Sequence, residues 1–270
     1  MTRPAPFAIM PAPAAQAGPG LSDRTLSPSQ VSTFIDCQAR WYYSRIAKLP
    51  EPATAAQAFG KAIHHVCRLI LAARMDPDWQ AKSALTAGEI GDCFRSTLKI
   101  ELQEVEDIAG AADMLDEGLR IMAMFAGQIG PQLEPTGLEM WCAGEIGGVK
   151  VRGCADVLTA DQVIDLKTSK ANPHAISASY QLQLITYCML SARRSARLVT
   201  MARTKVPSWN QHTLTLTPAH TQYAATMYSM AAEGMQSGLY LPNRGSNLCS
   251  RRNCAFWGEC QKEYGGIVPE

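Results

Sequence analysis

The chain has 270 residues, 47% of them hydrophobic, and a net charge of +1. This length suits one domain, or one domain with a small lobe, and the hydrophobic content supports a sizeable core. The near-neutral charge neither indicates nor excludes a nucleic-acid partner, whereas the lack of any apolar run near the ~18 residues of a membrane span argues against a membrane protein.

The N-terminal segment, residues 1–25, is rich in proline and alanine and has no long apolar stretch. It therefore predicts a disordered leader and not a signal peptide. Ser27-Pro28 is typical of a helix start, because the hydroxyl caps the helix and proline fits its first turn. This first helix should run to about Ile46. Its expected inward-facing residues are Val31, Phe34 and Ile35.

Helical periodicity predicts three further helices in the N-terminal half, over residues 54–75, 85–108 and 111–129. The first of these places Phe59, Ile63, Cys67 and Ile70 on one stripe, as expected of a helix that packs on a core. The N-terminal part is therefore expected to be mainly helical.

The second half alternates strands and helices. Period-two alternation predicts strands over 138–143, 149–158, 163–167, 198–203 and 212–216, the first turning at Gly147-Gly148. A helix over 177–194 separates the third and fourth strands. Thr217-Pro218 begins a last capped helix, in which Met227 and Met230 are expected in the core. An irregular, cysteine-rich loop follows from residue 245, and the element order predicts an α/β fold.

Two aspartates and a lysine lie in the central hairpin, VRGCADVLTADQVIDLKTSK. If Ala160-Asp161 form the turn, Asp156 lies directly opposite Asp165, and Lys167 shares their face. Carboxylates ~5 Å apart repel by about 3 kcal/mol at an effective dielectric near 20. That is a large fraction of a net stability of about 5–15 kcal/mol. One flexible lysine offsets it poorly, so the pattern favours a divalent-cation site over a solvated face of mixed charge.

Two helices carry further candidates at a spacing of four residues, which places each pair on one helix face. In FGKAIHH, Gly60 leaves room for a close approach and His64 can offer a neutral imidazole nitrogen to a metal. His65 competes for that role, and an ordinary hydrogen-bonded histidine is the plain alternative. In YQLQLITYC, Gln183 and Tyr187 could both point toward the hairpin, although a routine amphipathic edge has the same pattern.

Three cysteines lie within twelve residues of the C-terminal loop, in CSRRNCAFWGEC. Cys249, Cys254 and Cys260 lack a fourth ligand for a four-coordinate centre, and Cys37 is the candidate. Four thiolates suit an iron–sulfur cluster or structural zinc, whereas the alternative is a set of buried free thiols. The nine cysteines, an odd number with no secretion signal, indicate a reducing, cytoplasmic compartment.

The order G-x-x-x-H, G-x-x-D, D-L-K and Q-x-x-x-Y resembles the RecB-type branch of the PD-(D/E)XK nuclease superfamily. The matching residues are Gly60, His64, Gly153, Asp156, Asp165, Lys167, Gln183 and Tyr187. An early cysteine after FIDC with three late cysteines resembles the iron–sulfur subgroup. That subgroup includes the CRISPR-adaptation exonuclease, AddB-type helicase–nucleases and phage-encoded exonucleases. The resemblance covers about residues 26–264. It departs from the family at Ala155, where proline is usual, and in the four residues between Cys249 and Cys254, where two are common.

The resemblance implies a restriction-endonuclease-like core, with a mixed central sheet flanked by helices. Residues 26–270 would form a single nuclease domain, whose ends are clamped by a 4Fe–4S cluster, or by zinc, on Cys37, Cys249, Cys254 and Cys260. It also implies that Mg²⁺ or Mn²⁺ binds at His64, Asp156, Asp165 and the backbone carbonyl of Leu166, and acidifies a bound water. Lys167 would orient that water or stabilise the transition state, and Gln183 and Tyr187 would position the substrate or the lysine.

The implied activity is that of an exonuclease that hydrolyses phosphodiester bonds in DNA, on single-stranded or otherwise free ends. Recombination, phage DNA metabolism and CRISPR-type adaptation are the implied settings, with recombination or adaptation proteins as partners. Two other functions fit the residues: a site-specific or structure-specific endonuclease, and a non-catalytic module that binds DNA ends. The intact set of Asp156, Asp165 and Lys167 disfavours the second.

Overall fold

The computed structural model describes residues 24–75, 85–108 and 110–265. Nearly all of the predicted leader, residues 1–25, lies outside this range. The α-helices are α1 (Pro28–Asp36), α2 (Gln38–Arg45), α3 (Ala55–Met75), α4 (Ala87–Glu101), α5 (Ala111–Met124), α6 (Ala178–Ser191), α7 (Pro218–Gln236) and α8 (Trp257–Tyr264). The strands are β1 (Gly137–Ile146), β2 (Val149–Leu158), β3 (Gln162–Ser169), β4 (Ser195–Ala202) and β5 (Ser208–Thr215).

The five strands form one mixed sheet in the order β1-β2-β3-β4-β5. Strands β3 and β4 are parallel and are joined by α6, whereas the other neighbours are antiparallel. The predicted tight turn between β1 and β2 is confirmed: Gly147 and Gly148 have φ angles of +60° and +73°, where glycine pays no steric penalty.

The two faces of the sheet are covered by different helices. Helices α3, α4 and α5 pack on one face in a core that includes Phe59, Ile63, Phe94, Phe125, Val157, Ile164, Leu166, Val199 and Met201. Helix α6 packs on the other face, against Ala155, Leu158, Val163 and Leu198. The arrangement confirms the α/β, restriction-endonuclease-like fold. None of the described helices combines the length and apolarity needed to cross a membrane.

The capped helix starts are confirmed. Ser27 Oγ accepts a hydrogen bond from Gln30 N at 3.3 Å, and Thr217 caps α7 in the same way. Two core assignments are wrong: Ile35 is 54% exposed and Met230 is 61% exposed. Both residues lie on helices whose opposite face is buried, so these two apolar side chains point to solvent and lie outside the buried face.

One predicted helix ends early: the helix predicted over 85–108 ends at Glu101 and continues as a short 3₁₀ turn. The helix predicted over 111–129 is helical over that whole range, with a π-helical last turn from Phe125 to Ile129. Element boundaries of this kind depend on tertiary packing, which helical periodicity does not report.

The first predicted helix is also wrong as a single element, because it is broken at Cys37. This residue is extended, with φ −155° and ψ 108°. The returning C-terminal chain docks at the break: Ala39 N donates to Leu241 O, and Asn243 donates through Nδ2 to Asp36 O and through N to Cys37 Sγ. The break therefore provides backbone hydrogen-bonding groups for a segment about 200 residues away.

Candidate active site

Strands β2 and β3 part where the acidic residues lie. Their ladder contains the pairs Leu158–Val163 and Val157–Ile164, so the predicted turn and register are confirmed there. The expected direct pairing of Asp156 with Asp165 is wrong, because the ladder ends one pair earlier. The Asp156 side chain fills the gap instead: its Oδ2 accepts a hydrogen bond from the backbone N–H of Leu166 at 2.8 Å.

The sheet is also distorted on the other side of Asp156. Glu139 occupies the facing position on β1 and has a left-handed backbone with φ +48°, and this position is missing from an otherwise regular ladder. The alternation of faces changes at the same point, since Ala155 packs with α6 and Val157 with α3. Asp156 thus lies at a local break in the pleat, a type of distortion that clusters at functional sites.

Each aspartate contacts one basic side chain. His64 Nδ1, on α3, lies 3.5 Å from Asp156 Oδ1. Lys167 Nζ, two residues along β3, lies 2.6 Å from Asp165 Oδ2. The structure therefore brings together four of the predicted site residues from three elements, with two negative and two potentially positive charges.

The partners of Asp165 do not fully offset the cost of burying its negative charge. Its side chain is 1% exposed, and burial, helped by the charge of Asp156 and opposed by Lys167, raises its pKa to about 6. Its Oδ1 atom accepts no hydrogen bond from any described residue. For Asp156, burial would raise the pKa, but His64 and Lys167 outweigh it and the pKa is lowered. An unpartnered, buried carboxylate oxygen beside a second carboxylate fits a hard divalent cation.

The two basic groups respond in the opposite direction. Burial acts to lower the pKa of Lys167, yet the charges of Asp165 and Asp156 outweigh it and hold the pKa above its ordinary value. Burial also acts to lower the pKa of His64, but the hydrogen bond and the charge of Asp156 outweigh it and raise that pKa. Lys167 Nζ also lies 5.4 Å from the ring centroid of Tyr180.

Sequence reasoning missed Tyr180 as a neighbour of the lysine, although a signal was present. Tyr180, Gln183 and Tyr187 recur at i, i+3 and i+7, the spacing of one helix face. Gln183 Nε2 donates to Tyr187 Oη at 3.1 Å, so the predicted pair is in contact. Burial raises the pKa of Tyr187 to about 12, and the charges of Asp165 and Lys167 also act on it.

The two glycines of the motifs have different surroundings. A Cβ at Gly153 would lie 2.4 Å from Tyr187 Cε1, so only glycine lets this ring pack on β2. A Cβ at Gly60 would meet only Thr168 Oγ1, at 3.9 Å, which is ordinary contact. Gly153 is thus needed for packing, whereas Gly60 leaves open space on α3 facing the strand of the lysine.

The four predicted cysteine ligands line one pocket. Cys37 lies at the break between α1 and α2, Cys249 and Cys254 in the C-terminal loop, and Cys260 on α8 and not in the loop as expected. No disulfide links the described cysteines. Nowhere in residues 24–75, 85–108 and 110–265 do three or more His, Cys, Asp or Glu side chains already surround one point as metal ligands.

The pocket is held by contacts that need no metal. The Tyr43 hydroxyl on α2 donates to Glu263 Oε2 on α8, and Tyr264 Oη donates to Tyr240 O at 2.7 Å. Burial, with a contribution from the neighbouring thiols, raises the pKa of Cys254 and raises that of Cys260 to about 11. The thiols of Cys254 and Cys260 are therefore protonated at neutral pH, and a metal would have to displace those protons.

A family model, and the fold of one solved structure, agree with the architecture described above. A family model described as "PD-(D/E)XK nuclease superfamily" matches residues 25–261. A search of curated proteins found no match. A crystal structure of a "Putative exonuclease" from Eubacterium rectale aligns with 12% identity and a TM-score of 0.56, over 91% of this chain and 90% of that one. That of SSO0001 aligns with 14% identity and a TM-score of 0.44, over 89% and 87% of the two chains.

Proposed function

The chain belongs to the PD-(D/E)XK nuclease superfamily, and from this premise we propose that it is a Mg²⁺- or Mn²⁺-dependent deoxyribonuclease that degrades DNA from free, single-stranded ends. The observation that carries the proposal is the pairing of Asp156 with His64 and of Asp165 with Lys167, with Asp165 Oδ1 buried and unpartnered. This set of side chains has a free carboxylate oxygen that can bind a cation, and it has a basic group, Lys167, beside that oxygen. A non-catalytic DNA-binding module would not need it.

In the proposed mechanism, Asp156, Asp165, His64 and the Leu166 carbonyl hold the cation. When bound, that cation would neutralise charge on the scissile phosphate and lower the pKa of the attacking water. Lys167, held 2.6 Å from Asp165, keeps its proton at neutral pH and therefore acts as a fixed positive charge toward the water or the pentacovalent transition state. Gln183 and Tyr187 position the substrate or the lysine.

We also propose that Cys37, Cys249, Cys254 and Cys260 hold a 4Fe–4S cluster, with structural zinc as the alternative. The support is the donor set: four thiols from the two ends of the chain line one pocket. Thiolate ligands suit either group. Its role would be to clamp the two ends of the nuclease domain and shape a channel for single-stranded DNA, without redox chemistry. The proposed setting is a reducing cytoplasm, in recombination, phage DNA metabolism or CRISPR-type adaptation, beside proteins of those pathways.

The proposal is tested with protein purified without oxygen and freed of divalent ions. End-labelled linear single-stranded DNA, circular single-stranded DNA and linear RNA are incubated with Mg²⁺, Mn²⁺ or excess EDTA. We expect stepwise shortening of linear DNA with either ion and none with EDTA. Cutting of the circle would favour the endonuclease alternative, whereas full activity in EDTA would refute the metal site. A brown preparation that absorbs near ~400 nm would support the cluster, and a colourless one with stoichiometric zinc would replace it.

A further inference from the structure

Trp141 is an unusual residue for the surface of β1. Its side chain is 71% exposed, although a tryptophan offers a large apolar area that is normally buried. It is not isolated, because the guanidinium of Arg152 on β2 lies 5.7 Å from the ring centroid. The pair presents a flat aromatic surface with a positive charge beside it.

The position of this pair relates it to the candidate active site. Trp141 is directly opposite Cys154, which precedes Asp156 by two residues on β2. Gly153, the residue before Cys154, packs against Tyr187 of α6, so Cys154 and Trp141 face the opposite side of the sheet. Helix α3 lies on this same side of the sheet, because its Arg68 pairs with Glu139 and its His64 pairs with Asp156. The exposed ring therefore lies one pleat away from a proposed metal-binding carboxylate, on the same side of the sheet.

Strand β2 is held on both sides at Arg152. Arg152 pairs with Ala143 of β1, and its N–H donates to Leu26 O at 2.9 Å, which ties β2 to the segment before α1. Trp141 lies on β1, which pairs with β2 at each position from Met140 to Ile146, so an ordered strand presents the ring without a conformational change. Little ordering entropy would therefore be lost when a flat ligand stacks on it.

We propose that Trp141 and Arg152 form a stacking platform for an unpaired base of the DNA strand whose phosphate occupies the Asp156 and Asp165 site. Proteins that bind single strands combine aromatic faces for bases with arginine, which adds cation–π contact and phosphate attraction. A base-paired strand would not present its base face to the ring, so the platform would select single-stranded ends. This inference deepens the proposed nuclease function and rests on it.

A protein partner is the competing occupant of an exposed aromatic residue. Strand β1 is an edge of the sheet, and a partner strand would pair with its free backbone. The Trp141 side chain, however, stands on the face of the sheet beside Arg152, and a base needs the face. The pairing with a cation, next to a site proposed to bind phosphate, favours nucleic acid.

The test measures binding without cleavage, with Mg²⁺ present, by fluorescence anisotropy of a labelled strand of about 20 thymidines whose linkages resist hydrolysis. Trp141→Ala should weaken binding about tenfold, within the range for loss of one stacked base. Trp141→Phe should stay within a few-fold of wild type, because it keeps an aromatic face. The matched control is Met230→Ala, another exposed apolar residue, on α7, which should change nothing.

A second strand series separates stacking from charge. In a strand without bases throughout, Trp141→Ala should bind as well as wild type. A single abasic position moved along the thymidine strand should reproduce the Trp141→Ala loss at one position, within about two nucleotides of the cleaved bond. Both results would support the platform.

The platform is refuted if Trp141→Ala binds the thymidine strand as tightly as wild type, or if its loss is equally large on the abasic strand. It is also refuted if the substitution changes only the particle mass in light scattering, since the patch is then a protein contact. These outcomes leave the proposed nuclease function standing as long as wild-type protein cleaves DNA with Mg²⁺ or Mn²⁺. Failure of wild type both to bind and to cleave would remove the two proposals together.

Discussion

The carboxylate site and the cysteine pocket differ in what holds their side chains. Asp156 and Asp165 lie on neighbouring strands of the central sheet, and both are already paired with basic groups from α3 and β3. The cysteines come from a helix break, a loop and the short helix α8, and they line one pocket. In neither region, among the described residues, do three or more His, Cys, Asp or Glu side chains already surround one point as metal ligands. In the first region the fold places the donors, whereas in the second the donors depend on hydrogen bonds between the chain ends.

The difference separates two roles for a metal. A cation at the carboxylates would meet side chains that α3 and the sheet already hold by ion pairs and a backbone hydrogen bond. Its removal should therefore affect catalysis far more than stability. A metal at the cysteines would order segments that are far apart in sequence, and its binding free energy then adds to folding. Substitutions in the two regions should therefore divide into losses of activity and losses of stability.

The largest expected effect on activity is that of Asp165→Asn. We expect cleavage to fall by a factor on the order of 10³ or more, because the amide keeps the shape but loses the charge that binds the cation. The fold should not suffer, because the charge of Asp156 still acts on Lys167 when that of Asp165 is removed. The pKa of Asp165 is raised to about 6, so its ionised form opposes folding at higher pH. Without added metal, the thermal midpoint of the variant should equal or exceed that of wild type at pH 8.

Because the folded pKa of Asp165 is raised, the stability difference between the variant and wild type should depend on pH. For an acid whose folded pKa is raised, the stability contribution is fully present below the unfolded pKa and is lost as pH rises through the folded value. Any advantage of the variant should therefore shrink between pH 8 and pH 4. Asp92→Asn, at an exposed position on α4, is the control and should change neither quantity. A variant of Asp165 that simply unfolds would assign the residue a structural role.

The largest expected effect on stability is that of Cys37→Ser. A shared metal closes nearly the whole chain into one loop, and binding at a site absent from the unfolded chain contributes on the order of 10 kcal/mol. The variant should lose its metal, unfold at a lower temperature and cleave DNA more slowly, although the pocket that Cys37 lines does not include the carboxylates. Metal analysis, calorimetry and the cleavage assay measure the three outcomes.

Cysteines outside the pocket provide the controls. Cys93 on α4 and Cys142 on β1 are partly exposed, so serine there should retain the metal and most activity. Cys67→Ser and Cys188→Ser should also keep the metal, although both residues are fully buried and a buried hydroxyl lowers stability. If Cys37→Ser kept its full metal content while one of these lost it, the proposed ligand set would be wrong.

The same division explains how much the sequence predicted. Periodicity identified each strand of the described residues, and Ser27-Pro28 and Thr217-Pro218 identified the capped starts of α1 and α7, because those signals are local. The order of short motifs located His64, Asp156, Asp165 and Lys167, which the structure brings together. It could not predict that β2 and β3 part at the aspartates, since the distortion at Glu139 and the Leu166 hydrogen bond are long-range features.

The chain ends were less predictable for the same physical reason. The break at Cys37 is accompanied by hydrogen bonds from Ala39 N to Leu241 O and from Asn243 Nδ2 to Asp36 O, and no window of the local sequence contains both partners. The sequence pattern of β1 also does not distinguish the exposed Trp141 from the other residues of the strand. Only the register shows that Arg152 lies beside it and Asp156 one pleat away.

A smaller effect is expected from the glycines. Gly153→Ala places a methyl group 2.4 Å from Tyr187 Cε1, which forces the buried ring or β2 to shift. We expect a loss of about 1–3 kcal/mol in unfolding free energy, as for other overpacked positions. Gly60→Ala meets no close atom and should raise helix stability by up to about 1 kcal/mol. Denaturant unfolding of both variants compares them directly, and equal destabilisation would contradict the packing described for Gly153.

The smallest expected effect is that of Tyr187→Phe. The ring and its contact with Gly153 remain, and only the hydrogen bond from Gln183 is lost, so stability should fall by about 1 kcal/mol. If the hydroxyl serves to hold Gln183 for the substrate, kcat/KM should fall in Tyr187→Phe and in Gln183→Ala, and the double variant should be no worse than Gln183→Ala alone. Additive losses would mean that each side chain acts on the substrate or on Lys167 independently. An unchanged kcat/KM in Tyr187→Phe, with the stability loss present, would mean that the Tyr187 hydroxyl serves only the packing of α6 on the sheet. Gln183 would then act without help from that hydroxyl.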